Sequence, residues 1–352
     1  MTAFALIGNN GFTTEDHPQP ELWAEVLAGA GLQEFEYFAD HLEPVIFRQV
    51  VEGESEFLQA TRAAMARYGL TVFSGATARV SYLLNLLSHP YADMRACGRE
   101  WMRAFIDLTR KLGGRFISGH YDCISLPEVA QDLPGALDRL VEGLVEVAGY
   151  ARDAGLEGIF LEVMHRPQLQ PYTIAGAREL IDWLNRLAPL PFHIHVDTGH
   201  MAFVEGYADH QPADRDVYRW LSTPFGRNEW LLVHAQQTDA RASRHWPFTA
   251  RYNRRGIIDA RRVIQAIARS GVSRAVLALE VLYPRATPLA RIRPDIIASA
   301  RYWREAFAAL GYQRRGVSDL SGGRPPTGGR GPLDSGWFVR EEKQGDEEAG
   351  LG

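Results

Sequence analysis

Four side chains that can bind a cation stand at matching positions in four apolar runs of the sequence. Glu162 follows GIFL, Asp197 follows HIHV, His234 follows WLLV and Glu280 follows VLAL. Short apolar runs of this kind predict buried strands, and an unpaired carboxylate buried at a strand end is costly. A shared divalent cation would remove that cost. The pattern therefore predicts that these four residues are the ligands of one metal site.

The chemistry of such a site follows from its donors. Three carboxylates and one imidazole favour a hard or borderline ion, with Mn²⁺ as first choice and Mg²⁺ or Co²⁺ as alternatives. A metal-bound ketose would have an acidified C–H beside its carbonyl, and the enediolate would be stabilised. Glu162 and Glu280 would then act as the acid–base pair from opposite faces, which predicts epimerisation. Proton movement between neighbouring carbons would instead give aldose–ketose isomerisation.

The stretch FHIHVDTGHM places three polar residues at alternate positions of one predicted strand. Side chains two apart share a strand face, so His193, His195 and Asp197 point the same way. We expect Asp197 to bind the metal, with the two histidines packed or hydrogen-bonded beneath it.

Eight β-rich runs alternate with segments of helical periodicity along the chain. The runs are FALIGN (4–9), EFEYF (34–38), LTVFSGA (70–76), RFISGH (115–120), GIFLEV (158–163), FHIHVD (192–197), WLLVHA (230–235) and AVLALEV (275–281). This count predicts an α/β fold of the (β/α)8 TIM-barrel type, as a single domain over residues 1–312. A doubly wound sheet is the rival, but it often has a glycine-rich phosphate loop after the first strand, where GNNGF stands here.

The last part of the sequence has a different character. Residues 313–352 are rich in Gly, Pro and charge, a composition that predicts a disordered tail because it cannot bury enough apolar surface. Trp337 and Phe338 are an apolar pair within it that a neighbouring subunit could cover.

Four segments of the sequence resemble those that hold the metal in a known superfamily. GIFLEV, HVDTGHM, LLVHAQQTD and LALEVLYP are similar to the ligand segments of the xylose-isomerase-like TIM barrels. These are sugar phosphate isomerases and epimerases, including tagatose and psicose 3-epimerases. The resemblance covers about residues 3–312. It implies the same four ligands and acid–base pair, with His200 contacting a substrate hydroxyl.

A narrower resemblance concerns the substrate. LIGNNGF, HPQPELW and WPFTARYNRRGIID are similar to the erythrulose-phosphate epimerase and isomerase branch, which implies a ketose phosphate epimerised at C3. Ketose epimerases usually carry Glu and Arg after the histidine ligand. Here Gln237 stands where Glu is expected and Arg241 comes one residue late, so the identity of the sugar stays open.

Further residues near strand ends are candidate substrate contacts. They are Asn9, His120, His165, Arg166 and Arg241. A phosphate would need cationic donors, and the arginines after the seventh strand, together with His245, could supply them. A solvated loop in an arginine-biased chain is the alternative interpretation.

Charge and lysine content narrow the function classes. The formal net charge of −5 argues against a nucleic-acid partner and against an endonuclease IV-like nuclease, which needs a basic face and more metal ligands. Lysine occurs only at Lys111 and Lys343, neither near a strand end, which argues against Schiff-base chemistry.

Several alternatives stay open from the sequence. A dehydratase on the same scaffold would use the same ligands, whereas a sugar-binding barrel would not need paired glutamates. No run approaches the roughly 18 apolar residues of a membrane span. We therefore predict a cytoplasmic enzyme acting on a small sugar or sugar phosphate, with a homo-oligomer as a family-level expectation.

Overall fold

The predicted strands form a closed parallel barrel in the computed structural model. The structure describes residues 1–13, 19–53, 55–77, 79–202, 211–226, 229–315 and 336–340. The barrel strands are β1 (Ala3–Asn9), β2 (Glu34–Phe38), β3 (Thr71–Ala76), β4 (Phe116–Gly119), β5 (Gly158–Val163), β6 (Phe192–Asp197), β7 (Trp230–Ala235) and β8 (Arg274–Leu279). Each pairs in parallel with the next, and β1 pairs with both β8 and β2. The predicted TIM barrel is confirmed.

Helices connect the strands and cover the outside of the barrel. They are α1 (Pro20–Gly29), α2 (Arg48–Glu52), α3 (Glu56–Tyr68), α4 (Arg79–Leu83), α5 (Ala92–Lys111), α6 (Leu126–Gln131), α7 (Leu133–Asp153), α8 (Ile174–Leu187), α9 (Thr198–Ala202), α10 (Val217–Ser222), α11 (Ala250–Asn253), α12 (Ala260–Ser270) and α13 (Leu289–Ala309). Among the described helices, none is long and apolar enough to cross a membrane.

Local sequence explains where these helices begin and end. Ser55 accepts a hydrogen bond from Leu58 N at the start of α3, and Asp259 accepts one from Arg262 N at the start of α12. Gly69 and Gly271 end the same two helices with φ of 63° and 76°, a left-handed conformation that favours glycine.

The alternation of residues along each strand produces two apolar layers. Phe192, Ile194 and Val196 face outward from β6 and pack in the large core that includes the helices. Inside the barrel, a smaller cluster contains Phe73, Phe116 and Phe160, whose ring centroids lie 5.0–6.0 Å apart. Trp230 and Trp337 pack against this cluster. We call these five aromatic residues the floor of the barrel.

Two segments of the predicted tail are strands. β9 (Tyr312–Arg315) pairs with β10 (Trp337–Arg340), and β10 runs antiparallel to β1 with Phe4 opposite Phe338. Phe338 stacks on Phe307 with a centroid distance of 4.3 Å. The prediction of disorder does not hold at these segments because the apolar pair buries itself on its own barrel rather than on a neighbouring subunit. The rest of the predicted tail lies outside the described residues.

Candidate active site

The four predicted ligands converge at the C-terminal end of the barrel, as the strand register requires. Glu162, Asp197, His234 and Glu280 are all buried, with exposed fractions of 5% or less. Among the described residues, three groups place one ligand atom per residue within 4.8 Å of each other: Asp197–His234–Glu280, Glu162–Asp197–His200 and Glu162–His195–His234. No group of this kind in the described chain contains both Glu162 and Glu280. Glu162 and Glu280 thus fall in different groups that are linked through Asp197 and His234, and we call the whole cluster the mouth.

Asp197 is held by the turn that follows β6. Its Oδ1 accepts hydrogen bonds from the backbone N–H groups of Gly199 and His200, both at 2.7 Å, and from Gln236 Nε2 at 2.8 Å. Glycine is needed at position 199 because a Cβ there would lie 2.2 Å from the Gln236 side chain. Donors from α9 and from the residue that follows β7 thus hold the Asp197 carboxylate of the DTGH segment in place.

His234 is oriented by a carboxylate that the sequence analysis did not select. Glu36 is fully buried on β2, and its Oε2 lies 2.6 Å from His234 Nε2. Its other oxygen accepts hydrogen bonds from Ser74 Oγ at 2.8 Å and Ser118 Oγ at 2.6 Å. A partner of this type fixes the tautomer and ring orientation of a metal-binding histidine. The other ring nitrogen, Nδ1, faces Glu280 Oε2 at 3.0 Å.

The electrostatics of this pair follow from its burial. Burial alone would lower the pKa of His234, but the carboxylates of Glu280 and Glu36 raise it well above the usual value. Burial would raise the pKa of Glu280, but the adjacent imidazoles of His234 and His245 hold it well below its usual range. The Glu280 carboxylate therefore stays ionised despite its burial, because its pKa is lowered by the two imidazoles.

Polar atoms at the mouth lack hydrogen-bond geometry even though they are buried. Within the described chain these atoms are Glu162 Oε1, His200 Nδ1, His234 Nδ1, His245 Nδ1 and Glu280 Oε2. Each such atom would cost about 1–3 kcal/mol of desolvation if left unpaired. A divalent cation among carboxylate oxygens and an imidazole nitrogen would satisfy several of them at once. The residues present therefore fit a divalent metal, which Glu162, Asp197, His234 and Glu280 could hold.

His200 and Tyr82 meet Glu162 beside a cavity of about 300 Å³. His200 Nδ1 lies 3.3 Å from Glu162 Oε1, and Tyr82 Oη donates a hydrogen bond to Glu162 Oε2 at 2.7 Å. Burial would lower the pKa of His200, but Asp197 and Glu162 raise it to about 9. The structure thus places His200 in the cavity wall, as a substrate contact requires, and adds Tyr82, which the sequence analysis did not select.

The two histidines beneath Asp197 occupy different levels of the barrel interior. His195 is fully buried, and its ring centroid lies 3.9 Å from that of His234. Burial lowers the pKa of His195 well below its usual value, so the ring stays neutral. His193 lies lower, with its ring 5.5 Å from that of Phe160 on the floor. This arrangement agrees with the expectation that both pack below the metal ligand.

The other predicted substrate contacts vary in their distance from the mouth. His165 has its ring 5.3 Å from that of His200, whereas Arg166 is exposed in the same loop. His120 lies beside Tyr82 and contacts the carbonyl of Asp122 through Nε2.

The remaining predicted contacts are one residue at a strand end and one in the loop after β7. Asn9 is buried at the end of β1, where its Oδ1 accepts a hydrogen bond from Gly11 N at 2.7 Å. Arg241 is exposed. The loop after β7 uses other arginines for its own structure, since Arg244 pairs with Asp239 at 3.0 Å and Arg255 lies over the Trp246 ring.

Two positions in that loop have partners that the sequence did not predict. Gln237 is buried and bonds to Asn253 Oδ1 and to the backbone of Ile258, so it supports the loop. His245, expected among phosphate donors, instead brings Nδ1 to within 3.2 Å of Glu280 Oε2. Arg79 of α4 contributes a cation to the cavity wall and lies 3.3 Å from Asp40.

Comparisons with known proteins agree with this architecture. The D-erythrulose 1-phosphate 3-epimerase of Brucella abortus is 28% identical over 248 residues, 68% of this chain and 76% of that protein. A solved structure from Rhodospirillum rubrum aligns with a TM-score of 0.71 at 20% identity, covering 86% of this chain and 99% of that one. The D-allulose 3-epimerase of a Methylomonas species aligns with a TM-score of 0.59 at 16% identity, covering 88% and 98%.

A family comparison adds to these similarities. The sequence profile of the family described as xylose isomerase-like TIM barrel matches residues 24–310, which include all four predicted metal ligands. The resemblance inferred from the ligand segments is therefore confirmed, and the chain belongs to the xylose isomerase-like TIM barrel family.

Proposed function

We propose that this protein is a divalent-metal-dependent epimerase that inverts C3 of a ketose phosphate, with erythrulose phosphate as the candidate substrate. The observation that carries the proposal is one buried cluster of candidate ligands in which Glu162 and Glu280 belong to different groups, linked through Asp197 and His234. The Brucella abortus relative, named as an erythrulose 1-phosphate 3-epimerase, supports the choice of substrate.

The residues of the mouth have separate tasks in this reaction. When bound, the cation, with Mn²⁺ as first choice and Mg²⁺ or Co²⁺ as alternatives, supplies the Lewis acidity that makes C3–H acidic. One glutamate takes the C3 proton, and the electron pair of that bond moves into the enediolate. The other glutamate returns a proton to C3 from the opposite face, which inverts the carbon. We assign to His200, in the cavity wall, the task of holding a hydroxyl of the substrate.

The cation needs a correctly oriented imidazole, and the substrate phosphate needs cationic donors. Glu36 keeps the Nδ1 of His234 directed at the mouth, so its role is to prepare the imidazole for the metal. The candidate phosphate donors are Arg166 and Arg241 from the sequence analysis, together with Arg79 in the cavity wall. Asn9, His120 and His165 stay candidate contacts for the sugar. We also propose a cytoplasmic location and a homo-oligomer.

Proton NMR in D₂O tests the proposed reaction. Protein loaded with Mn²⁺ for catalysis would be incubated with tetrulose and pentulose phosphates and their free ketoses, then separated from the metal before spectra are recorded. Deuterium at C3 together with inversion at C3 is the expected result, and for a tetrulose phosphate, whose two C3 forms are enantiomers, the inversion is read from the optical rotation. Deuterium at C1 together with an aldose would replace epimerisation by isomerisation, and loss of water would identify a dehydratase. No exchange from any ketose, despite a bound metal, would contradict the proposal.

A further inference from the structure

Each glutamate of the mouth has its own neighbour on the cavity side. We propose that Tyr82 is a positioning residue for Glu162 and that His245 is the corresponding positioning residue for Glu280, so that each controls proton transfer at one face of the substrate. This inference rests on the proposed epimerase function and extends it to two residues outside the predicted ligand set.

Tyr82 fixes the orientation of the Glu162 carboxylate. The phenol donates to Oε2 at 2.7 Å, while the opposite oxygen faces His200 Nδ1 at 3.3 Å. The Tyr82 ring is itself positioned by its neighbours, with centroids 5.6 Å from His120 and 6.4 Å from His200. Rotation of the carboxylate would break both contacts. Tyr82 therefore holds one oxygen in place at the cavity wall.

His245 reaches Glu280 from a loop with an unusual backbone conformation. Its φ is 47°, a left-handed value that residues other than glycine adopt uncommonly and that clusters at functional sites. Its backbone N–H donates to Gln236 Oε1 at 2.5 Å, and its carbonyl accepts from Leu282 N at 3.1 Å. These bonds direct Nδ1 to a point 3.2 Å from Glu280 Oε2.

The inferred effect on catalysis differs between the two faces. A carboxylate that loses its neighbour samples more orientations, so the fraction aligned with the C3–H bond falls. The same carboxyl group takes the proton from one epimer and, once protonated, gives a proton to C3 when that epimer is formed from the other. Loss of Tyr82 Oη thus slows only the steps at the Glu162 face. Loss of the His245 imidazole slows only those at the Glu280 face.

Primary deuterium isotope effects on kcat/KM, measured from each epimer deuterated at C3, separate the faces. The variants are Tyr82→Phe and His245→Gly, and each is the control for the other because they act on opposite glutamates. Tyr82→Phe should raise the isotope effect from the epimer that Glu162 deprotonates. From the other epimer the effect should fall, because reprotonation becomes limiting. His245→Gly should give the mirror image. We expect kcat to fall about 10- to 100-fold in each, the low end of acid–base contributions.

A conservative variant separates positioning from a structural role. His245→Asn can keep the positive φ and an N–H donor near Glu280, so it should recover part of the activity lost in His245→Gly. Metal content and melting temperature should match those of the wild type in all three variants. Isotope effects that move in the same direction from both epimers, or an Asn variant no better than Gly, would overturn the inference. No turnover by the wild-type protein would instead contradict the proposed function.

Discussion

The two ends of the barrel interior are built by the same strands yet have opposite properties. At the floor, aromatic rings pack within 5.0–6.1 Å of each other around Phe73, Phe116 and Phe160. At the mouth, β5, β6, β7 and β8 lead into buried carboxylates and imidazoles, and the pKa values of His234 and Glu280 are displaced from their usual ranges. The difference indicates that the floor supplies stability, which allows the mouth to keep polar groups that would be costly without a bound cation.

Removal of the cation should have the largest effect, and only at the mouth. We expect chelation to slow C3 exchange on the order of 10³-fold, because the bound cation contributes several kcal/mol of transition-state stabilisation. Added Mn²⁺ should restore the rate, and the melting temperature should rise with the metal concentration. Full activity of a protein that elemental analysis shows to be free of metal would mean that the mouth does not need a cation. The contrast between mouth and floor would then not hold.

Truncation of a floor residue should have the complementary effect. Phe160→Ala removes a fully buried ring and should lower the free energy of unfolding by about 3–5 kcal/mol. Urea denaturation would measure it, with Leu187→Ala, which is 56% exposed, as the control. The affinity of the folded variant for metal should not change. A metal affinity that falls together with stability would mean that the two ends are not separable.

Glu36 tests how far the mouth extends below its ligands. Glu36→Gln should lower the affinity for Mn²⁺ about 10- to 100-fold, because the amide no longer fixes the His234 ring as a carboxylate does. Titration calorimetry would measure the affinity. Glu34→Gln, a buried position two residues earlier on β2, is the matched control and should bind as tightly as the wild type. If the Glu36→Gln and Glu34→Gln variants bind Mn²⁺ equally tightly, Glu36 contributes only to packing and not to metal binding.

The smallest expected effect concerns acid stability at the floor. Burial lowers the pKa of His193 from 6.5 to about 4. The unfolded chain therefore binds a proton that the folded chain does not, and stability falls as the pH decreases from about 6.5 to about 4. His193→Gln should remove this part of the pH dependence of urea unfolding. An unchanged slope between pH 6.5 and 4 would show that His193 titrates normally in the fold.

Local patterns in the sequence were sufficient to predict the barrel and to find four candidate ligands that lie together in the structure. Strands such as GIFLEV and FHIHVD are apolar runs of the correct length, and parallel strands bring their C-terminal ends together in a barrel. The predicted bounds of β2, β5, β6 and β7 agree with the structure. Glu162, Asp197, His234 and Glu280 were accessible to this reasoning because each directly follows an apolar run.

The residues that the sequence analysis did not select act through distant partners. Glu36 contacts His234, which is 198 positions away along the chain. Its only local signal is a charged residue at an alternate position within the aromatic run EFEYF, a pattern shared with half-exposed strands. Tyr82 belongs to a five-residue helix without clear periodicity. The strand Trp337–Arg340 follows a Gly- and Pro-rich segment, so composition concealed its pairing with β1.

The assignment of Glu162 and Glu280 to opposite faces of the substrate is tested most directly by exchange through a single base in the Glu280→Gln variant. The metal-loaded variant would be incubated separately with each C3 epimer of the substrate in D₂O, with exchange followed by proton NMR and inversion by optical rotation. We expect one epimer to lose its C3 proton to solvent through Glu162 without inversion. The other epimer should not exchange. Inversion at the wild-type rate, or equal exchange from both epimers, would contradict the assignment of the two glutamates to opposite faces.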